Sequence, residues 1–177
     1  MKSKRVFLAV DAANLFGALE NGARPNYRAL LEFGQRLGSL VKAAIYVPRN
    51  SGTDREKGLL LALKHMGFTR VIARHLRYRP DGRGKSDLDT AIILDIWEAA
   101  LRQEIDTVIL ASGDSDFVPL VERLVDQGLE VYVVGPDRAT AWELIVAATY
   151  FTYTAEVEGF VPVDAAEVAT LTANGAQ

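Results

Sequence analysis

Four aspartates, Asp11, Asp89, Asp114 and Asp116, fall where a folded chain could gather them around one divalent cation. Asp11 directly follows the apolar, β-branched run Arg5 to Val10. Asp114 and Asp116 follow a second such run, Thr107 to Ala111, within Ser112-Gly113-Asp114-Ser115-Asp116-Phe117. Asp89 opens the longest helical pattern and shares a side with Ile92, Ile93 and Ile96. Clustered carboxylates repel one another, and left alone some would take up protons. A hard cation removes that penalty. Mg²⁺ and Mn²⁺ prefer carboxylate oxygen and water, with substrate phosphate completing the shell. Such an ion acidifies a bound water and stabilises charge on phosphoryl oxygens during in-line attack. Phosphodiester hydrolysis is therefore the expected chemistry.

Each acid also has a purely structural reading. Asp11 could cap the turn after a strand, and Asp114 could serve only as the N-cap of the next helix, whose first turn tolerates Pro119. Ser86 and Asp89 have the spacing of a capping-box variant. Asp95 lies about 9 Å beyond Asp89 along the same helix, on a different side, and is either surface or an outer neighbour of the site. The coincidence of several acids at one place is what favours chemistry.

The elements that must position them alternate. Strand signals cover Arg5 to Val10, Val41 to Val47 (closed by Pro48), Val71 to Leu76, Thr107 to Ala111, Glu130 to Val134 and Tyr150 to Thr154. Helical patterns cover Tyr27 to Leu40, Asp54 to Met66, Asp87 to Gln103, Asp116 to Gln127 and about Ala139 to Ala148. This alternation predicts a three-layer α/β/α sandwich around a mainly parallel sheet of five or six strands, Rossmann-like in topology. Ligands in such sheets bind beyond the carboxyl ends of the strands, where strand order reverses. The first and fourth strands belong beside that point, which is where Asp11, Asp114 and Asp116 sit. The domain is expected over residues 1–154. Residues 155–177 change to an Ala-rich composition with four acids and no basic residue, and read as a short tail.

With 177 residues, 49% hydrophobic and 24% charged, the chain suits one globular domain. No apolar run approaches the ~18 residues of a membrane span, and Val6 to Val10 is too short for a signal-peptide core. The absence of cysteine excludes disulfides, thiol catalysis and zinc–thiolate sites, and fits a cytoplasmic location.

Other chemistries find no support. Gly84-Lys85-Ser86 resembles the end of a phosphate-binding loop, but Arg79 stands where that loop needs a glycine. No dinucleotide fingerprint follows the first strand. His65 and His75 lack metal-ligand spacing, and no serine has a matching His and Asp pair.

The net charge of −3 conceals an uneven distribution. Six Lys or Arg residues lie between Arg70 and Lys85, against one acid, Asp81; ten Asp or Glu lie between Ser86 and Asp126. Arg77, Arg79, Arg83 and Lys85 lead directly into the helix that carries Asp89, with Tyr78 among them as a stacking surface. Arg49 and Arg55 extend the strip. A solvated edge is the default for a charge run. Here arginines beside a carboxylate cluster suit an enzyme that grips RNA phosphates and stacks single-stranded bases.

Asp11-x-x-Asn14 after the first strand, Lys85 and Asp89 through Asp95 at the long helix, and Ser112-Gly113-Asp114-Ser115-Asp116-Phe117 after the fourth strand together resemble the NYN domain. More narrowly they resemble the LabA-like branch of the PIN-like nuclease superfamily, over roughly residues 5 to 154. The resemblance implies a PIN-like fold and metal-dependent ribonuclease activity. It makes Asp11, Asp89, Asp114 and Asp116 the metal-binding set, with Asn14 and Ser112 as polar neighbours that position water or phosphate. Family members often read Lys-Gly-x-Asp before the long helix, where this chain has Lys85-Ser86-Asp87-Leu88-Asp89, so Asp87, Asp89 and Asp95 stay open as the acid completing the site. Relatives also tend to carry an acid where this chain has Thr149.

The reading is an Mg²⁺- or Mn²⁺-dependent endoribonuclease acting on single-stranded or structured RNA. Its rivals are a non-catalytic RNA-binding or regulatory domain and a metal-dependent small-molecule phosphatase. No membrane partner is expected; a homodimer or protein partner is left open.

Overall fold

A computed structural model describes residues 3–17, 25–49, 53–75, 77–78, 84–85 and 88–160. The elements run β1 (Arg5–Asp11), α1 (Ala12–Gly17), α2 (Tyr27–Leu37), β2 (Ser39–Arg49), α3 (Asp54–Met66), β3 (Arg70–His75), β4 (Arg77–Tyr78), β5 (Gly84–Lys85), α4 (Leu88–Leu101), β6 (Thr107–Ala111), α5 (Val118–Asp126), β7 (Glu130–Gly135), α6 (Trp142–Ala147) and β8 (Tyr150–Tyr153). Single 3₁₀ turns cover Ser115–Phe117 and Thr154–Glu156.

Six strands form one parallel sheet in the order β3-β2-β1-β6-β7-β8. The chain builds outward from β1 through β2 to β3, then returns to lay β6 on the other side of β1. Strand order thus reverses between β1 and β6. That is the switch point the sequence anticipates. β1 is a run of apolar residues because it is central and covered on both faces. Phe7 and Ala9 join Tyr46, Val108 and Leu110 under α4, α5 and α6. Val6, Leu8 and Val10 point the other way, with Ile45, Ile109 and Ala111, beneath α2 and α3.

Several boundaries differ from the sequence reading. α2 ends at Leu37, and Leu40 belongs to β2 rather than to the helix. Ser39 N–H donates to the Lys4 carbonyl at 2.8 Å and draws the chain into the sheet. A Cβ at Gly38 would collide with that carbonyl, so glycine permits the close pass. β2 also continues through Pro48 to Arg49: its pairing with β1 ends at Tyr46, leaving Pro48 with a neighbour on one side only. The stretch expected to be a loop between β3 and α4 carries a two-residue antiparallel ladder, Arg77 to Lys85 and Tyr78 to Gly84. Residues 79–83 lie outside the described ones.

Past β8 the chain stays packed. Val157 and Phe160, at the start of the expected tail, are buried in the α2 side of the core. Gly159 carbonyl accepts from Asn26 Nδ2 at 2.8 Å at the head of α2. Among the described residues, no helix is long and apolar enough to cross a membrane.

Candidate metal centre

Asp11 is the last residue of β1, and β1 pairs with β6 in the register Val10 to Ala111. The next residue on each strand is therefore Asp11 and Ser112, side by side. Ser112 Oγ donates to Asp11 Oδ2 at 3.0 Å, and Asn14 N–H donates to Asp11 Oδ1 at 3.1 Å. The second bond is an N-cap: it starts α1, a helix the sequence reading missed. The signal for it was the aspartate directly after the strand, since an N-cap carboxylate reaches the backbone amide three residues on. Asp11 is 4% exposed.

The turn after β6 is tied to the same residues. Asn14 Oδ1 accepts from Gly113 N–H at 2.8 Å, and Ser112 Oγ accepts from Asp114 N–H at 3.2 Å. Asp114 Oδ1 accepts from Asp116 N–H at 2.9 Å and caps the 3₁₀ turn that leads into α5. The structural readings of Asp11 and Asp114 are thus fulfilled, Ser86 of the Asp89 reading lies outside the described residues, and a cluster forms all the same. One carboxylate oxygen from each of Asp89, Asp114 and Asp116 lies within 4.8 Å of the other two. Asp89 is in the first turn of α4, half-buried like Asp114, and Asp116 is exposed.

These donors suit a hard cation. All three are carboxylates, with no histidine among them. A Mg²⁺ ion about 2.1 Å from each oxygen bridges oxygens up to about 4.2 Å apart. Small rotations of the exposed Asp116 side chain and its neighbours would close the set. Asp11 stands beside this group, its two oxygens accepting from Ser112 and Asn14. It is still within electrostatic reach. Burial pushes the Asp11 carboxyl above its ordinary value, hydrogen bonds from Asn14, Ser112 and Ala13 oppose the shift, and the Asp114 charge adds to it.

The sign of that shift gives a test. With its folded pKa raised, Asp11 holds a proton more tightly in the folded chain, a contribution fully present below the unfolded value of 3.8 and lost as pH rises through the folded value. In chelator, Asp11→Asn is therefore expected to gain stability relative to the parent chain as pH rises through this window. Denaturant midpoints at acid and neutral pH read the difference; a gap independent of pH contradicts it.

The remaining candidates divide. Asp95 is held elsewhere: its carboxylate accepts from Tyr46 Oη at 2.8 Å and pairs with Arg70 at 3.2 Å. It anchors α4 to the sheet. Asp87 lies outside the described residues, as do Arg79 and Arg83. Arg77 and Lys85 face each other across the β4–β5 ladder. Arg49, expected to extend the basic strip, lies 3.7 Å from Glu56. Thr149, where relatives tend to carry an acid, accepts from Val131 N–H at 3.0 Å at the amino end of β7, away from the carboxylates.

The sequence profile of the NYN domain matches residues 5–158. The chain belongs to the NYN-domain family. NYN domains are members of the PIN-like nuclease superfamily. A similar protein is the low amplitude and bright protein LabA of Synechococcus elongatus, 24% identical over 168 residues, which cover 90% of this chain and 89% of that one. The NYN fold seen here is also similar to the crystal structure of a protein of unknown function from Vibrio parahaemolyticus. The two share a TM-score of 0.75 and 29% identity, over 85% of this chain and 93% of the other. In this NYN domain the site-bearing strands β1 and β6 and the helix α4 all lie inside the matched region.

Ser112 allows a graded test. It is fully buried and links Asp11 to the Asp114 amide. Ser112→Ala removes that link without touching a carboxylate. The expected loss in Mn²⁺ affinity is about 10–100-fold, the usual cost of removing an outer partner of a ligand. Calorimetric titration checks it, and an unchanged affinity contradicts the positioning role.

Proposed function

We propose that the protein is a divalent-metal-dependent endoribonuclease whose ion is held by Asp89, Asp114 and Asp116, with Asp11 supporting them directly or through water. The observation that carries this reading is the meeting of Asp89 with Asp114 and Asp116, some 25 residues further along the chain, at the carboxyl ends of the sheet beside its switch point. Membership of the NYN family and the all-carboxylate donor set support it.

A bound Mg²⁺ or Mn²⁺ supplies stabilisation of charge building on the phosphoryl oxygens and a water acidic enough to attack. The chain's own residues do the rest. Asp114 N–H donates to Ser112 Oγ and its Oδ1 accepts from Asp116 N–H, so its free oxygen keeps its aim. Asp116, the exposed member, orients the attacking water on the open side. Asn14 and Ser112 lock the turn that carries both acids. Asp11 fixes Ser112 and adds negative charge beside the three acids. Arg77, Arg79, Arg83 and Lys85, just ahead of α4 in the sequence, supply positive charge for RNA phosphates.

The test is cleavage of a fluorescent single-stranded RNA with Mn²⁺, with chelator, and by Asp114→Asn. Internal cuts that need the metal and vanish in the variant support the reading. RNA retained but uncut, or inorganic phosphate released from small esters with RNA intact, would replace it with a binding or a phosphatase role.

A further inference from the structure

A second feature adjoins the carboxylates. Asp116 lines, besides the metal centre, a groove of about 430 Å³ between α4 and α5, whose other walls are Ile93, Trp97, Pro119, Leu120 and Arg123. The groove follows from helical spacing. Ile93 and Trp97 are four apart on α4; Asp116, Pro119, Leu120 and Arg123 repeat at three and four along the 3₁₀ turn and α5. Its size lies within the roughly 300–1,000 Å³ of small-molecule sites. α4 is apolar nearly all round, yet it leaves Ile93 and Trp97 half-buried and Leu94 60% exposed. A helix of that composition is normally covered on every side.

We propose that this groove receives a nucleobase of the RNA strand next to the scissile phosphate, stacked on Trp97, with a neighbouring phosphate on Arg123. This rests on the nuclease reading above. Three features select this occupant. Asp116 belongs to both places, so a strand whose phosphate lies at the carboxylates has the groove mouth within reach of its next base. The walls are apolar and aromatic, which suits a base face and tolerates any sequence. Arg123, exposed and with no ion-pair partner among the described residues, lies about 10 Å along the helix from Asp116 and supplies positive charge at the far end. An acidic rim at one end and an arginine at the other fit a phosphodiester that meets a metal first and a guanidinium second.

The chain has two tryptophans, Trp97 and Trp142. Trp142 is 71% exposed, so Trp142→Phe leaves the fold in place and makes Trp97 the sole tryptophan reporter. In chelator, a short oligouridylate is titrated into this variant, with emission recording Trp97 and the anisotropy of a labelled copy recording binding. The expected result is saturable quenching of Trp97. Binding should weaken about tenfold when the oligonucleotide is made abasic, and by a similar factor in Arg123→Ala. RNA that binds without moving Trp97 emission overturns the groove assignment and leaves the nuclease reading standing. Absence of both binding and metal-dependent cleavage overturns both. Emission that depends on protein concentration and is indifferent to RNA assigns the groove to a second copy of the chain instead.

Discussion

Asp114→Asn is expected to lower metal-dependent RNA cleavage by about 10²–10³-fold, the scale on which one electrostatic contact to a developing charge is felt. The substitution keeps the size of the side chain, and asparagine caps helices as well as aspartate does. The bond from Asp116 N–H and the start of the 3₁₀ turn should survive. What it removes is one of the three neighbouring carboxylate charges that would share a cation. Rate and stability therefore separate: cleavage collapses while thermal unfolding in chelator is unchanged or slightly raised, because two like charges are no longer pressed together. A parallel fall in both would mean that Asp114 holds the turn and nothing more.

Gly113→Ala is expected to damage the same site without altering any charge. A Cβ on residue 113 would lie 2.5 Å from the Ala139 carbonyl oxygen and 2.8 Å from Thr140 Cα. These are backbone atoms, so no side-chain rotation relieves the contact. The segment is also pinned: Ala141 N–H donates to the Gly113 carbonyl at 2.9 Å, and Gly113 N–H donates to Asn14 Oδ1 at 2.8 Å. Either the entry to α6 moves out or the turn carrying Asp114 and Asp116 moves. Overpacking of this kind costs about 1–3 kcal/mol. Displacing a carboxylate by about 1 Å costs on the order of 10²-fold in rate. Unfolding and cleavage assays on the one variant should therefore both fall. A chain with parental stability and rate would contradict the packing described here.

The close approach at Gly113 shows what the sequence could and could not reveal. Ser112-Gly113-Asp114-Ser115-Asp116-Phe117 stood out as a motif, but its glycine has a reason only in three dimensions, where the 139–141 segment passes over it. The parallel sheet and its switch point were legible because apolar runs alternate with amphipathic ones, and chain reversal at β1 follows from handed connections. The end of α2 was not. Leu40 continues the helical spacing of Leu30, Leu31, Phe33 and Leu37, and only the bond from Ser39 to Lys4, distant in the chain, assigns it to β2. Asp95 presented the same difficulty. Its spacing from Asp89 left its role open, and Tyr46 and Arg70, from two different strands, decide it. Asp11 was rightly placed at the rim, but a sequence does not state how many hydrogen bonds a carboxylate accepts. Its two oxygens accept from Ser112 and Asn14, and it stands beside the three-acid group.

The account stands on Asp89, Asp114 and Asp116 forming one cation site. Calorimetric titration of Mn²⁺ into the chelator-treated chain and into its Asp116→Asn variant addresses this without reference to any substrate. One saturable site in the parent chain, weakened well beyond tenfold in the variant, is the predicted result. Equal affinity in the two, or no saturable binding in the parent, would show that the three carboxylates meet for some purpose other than a metal.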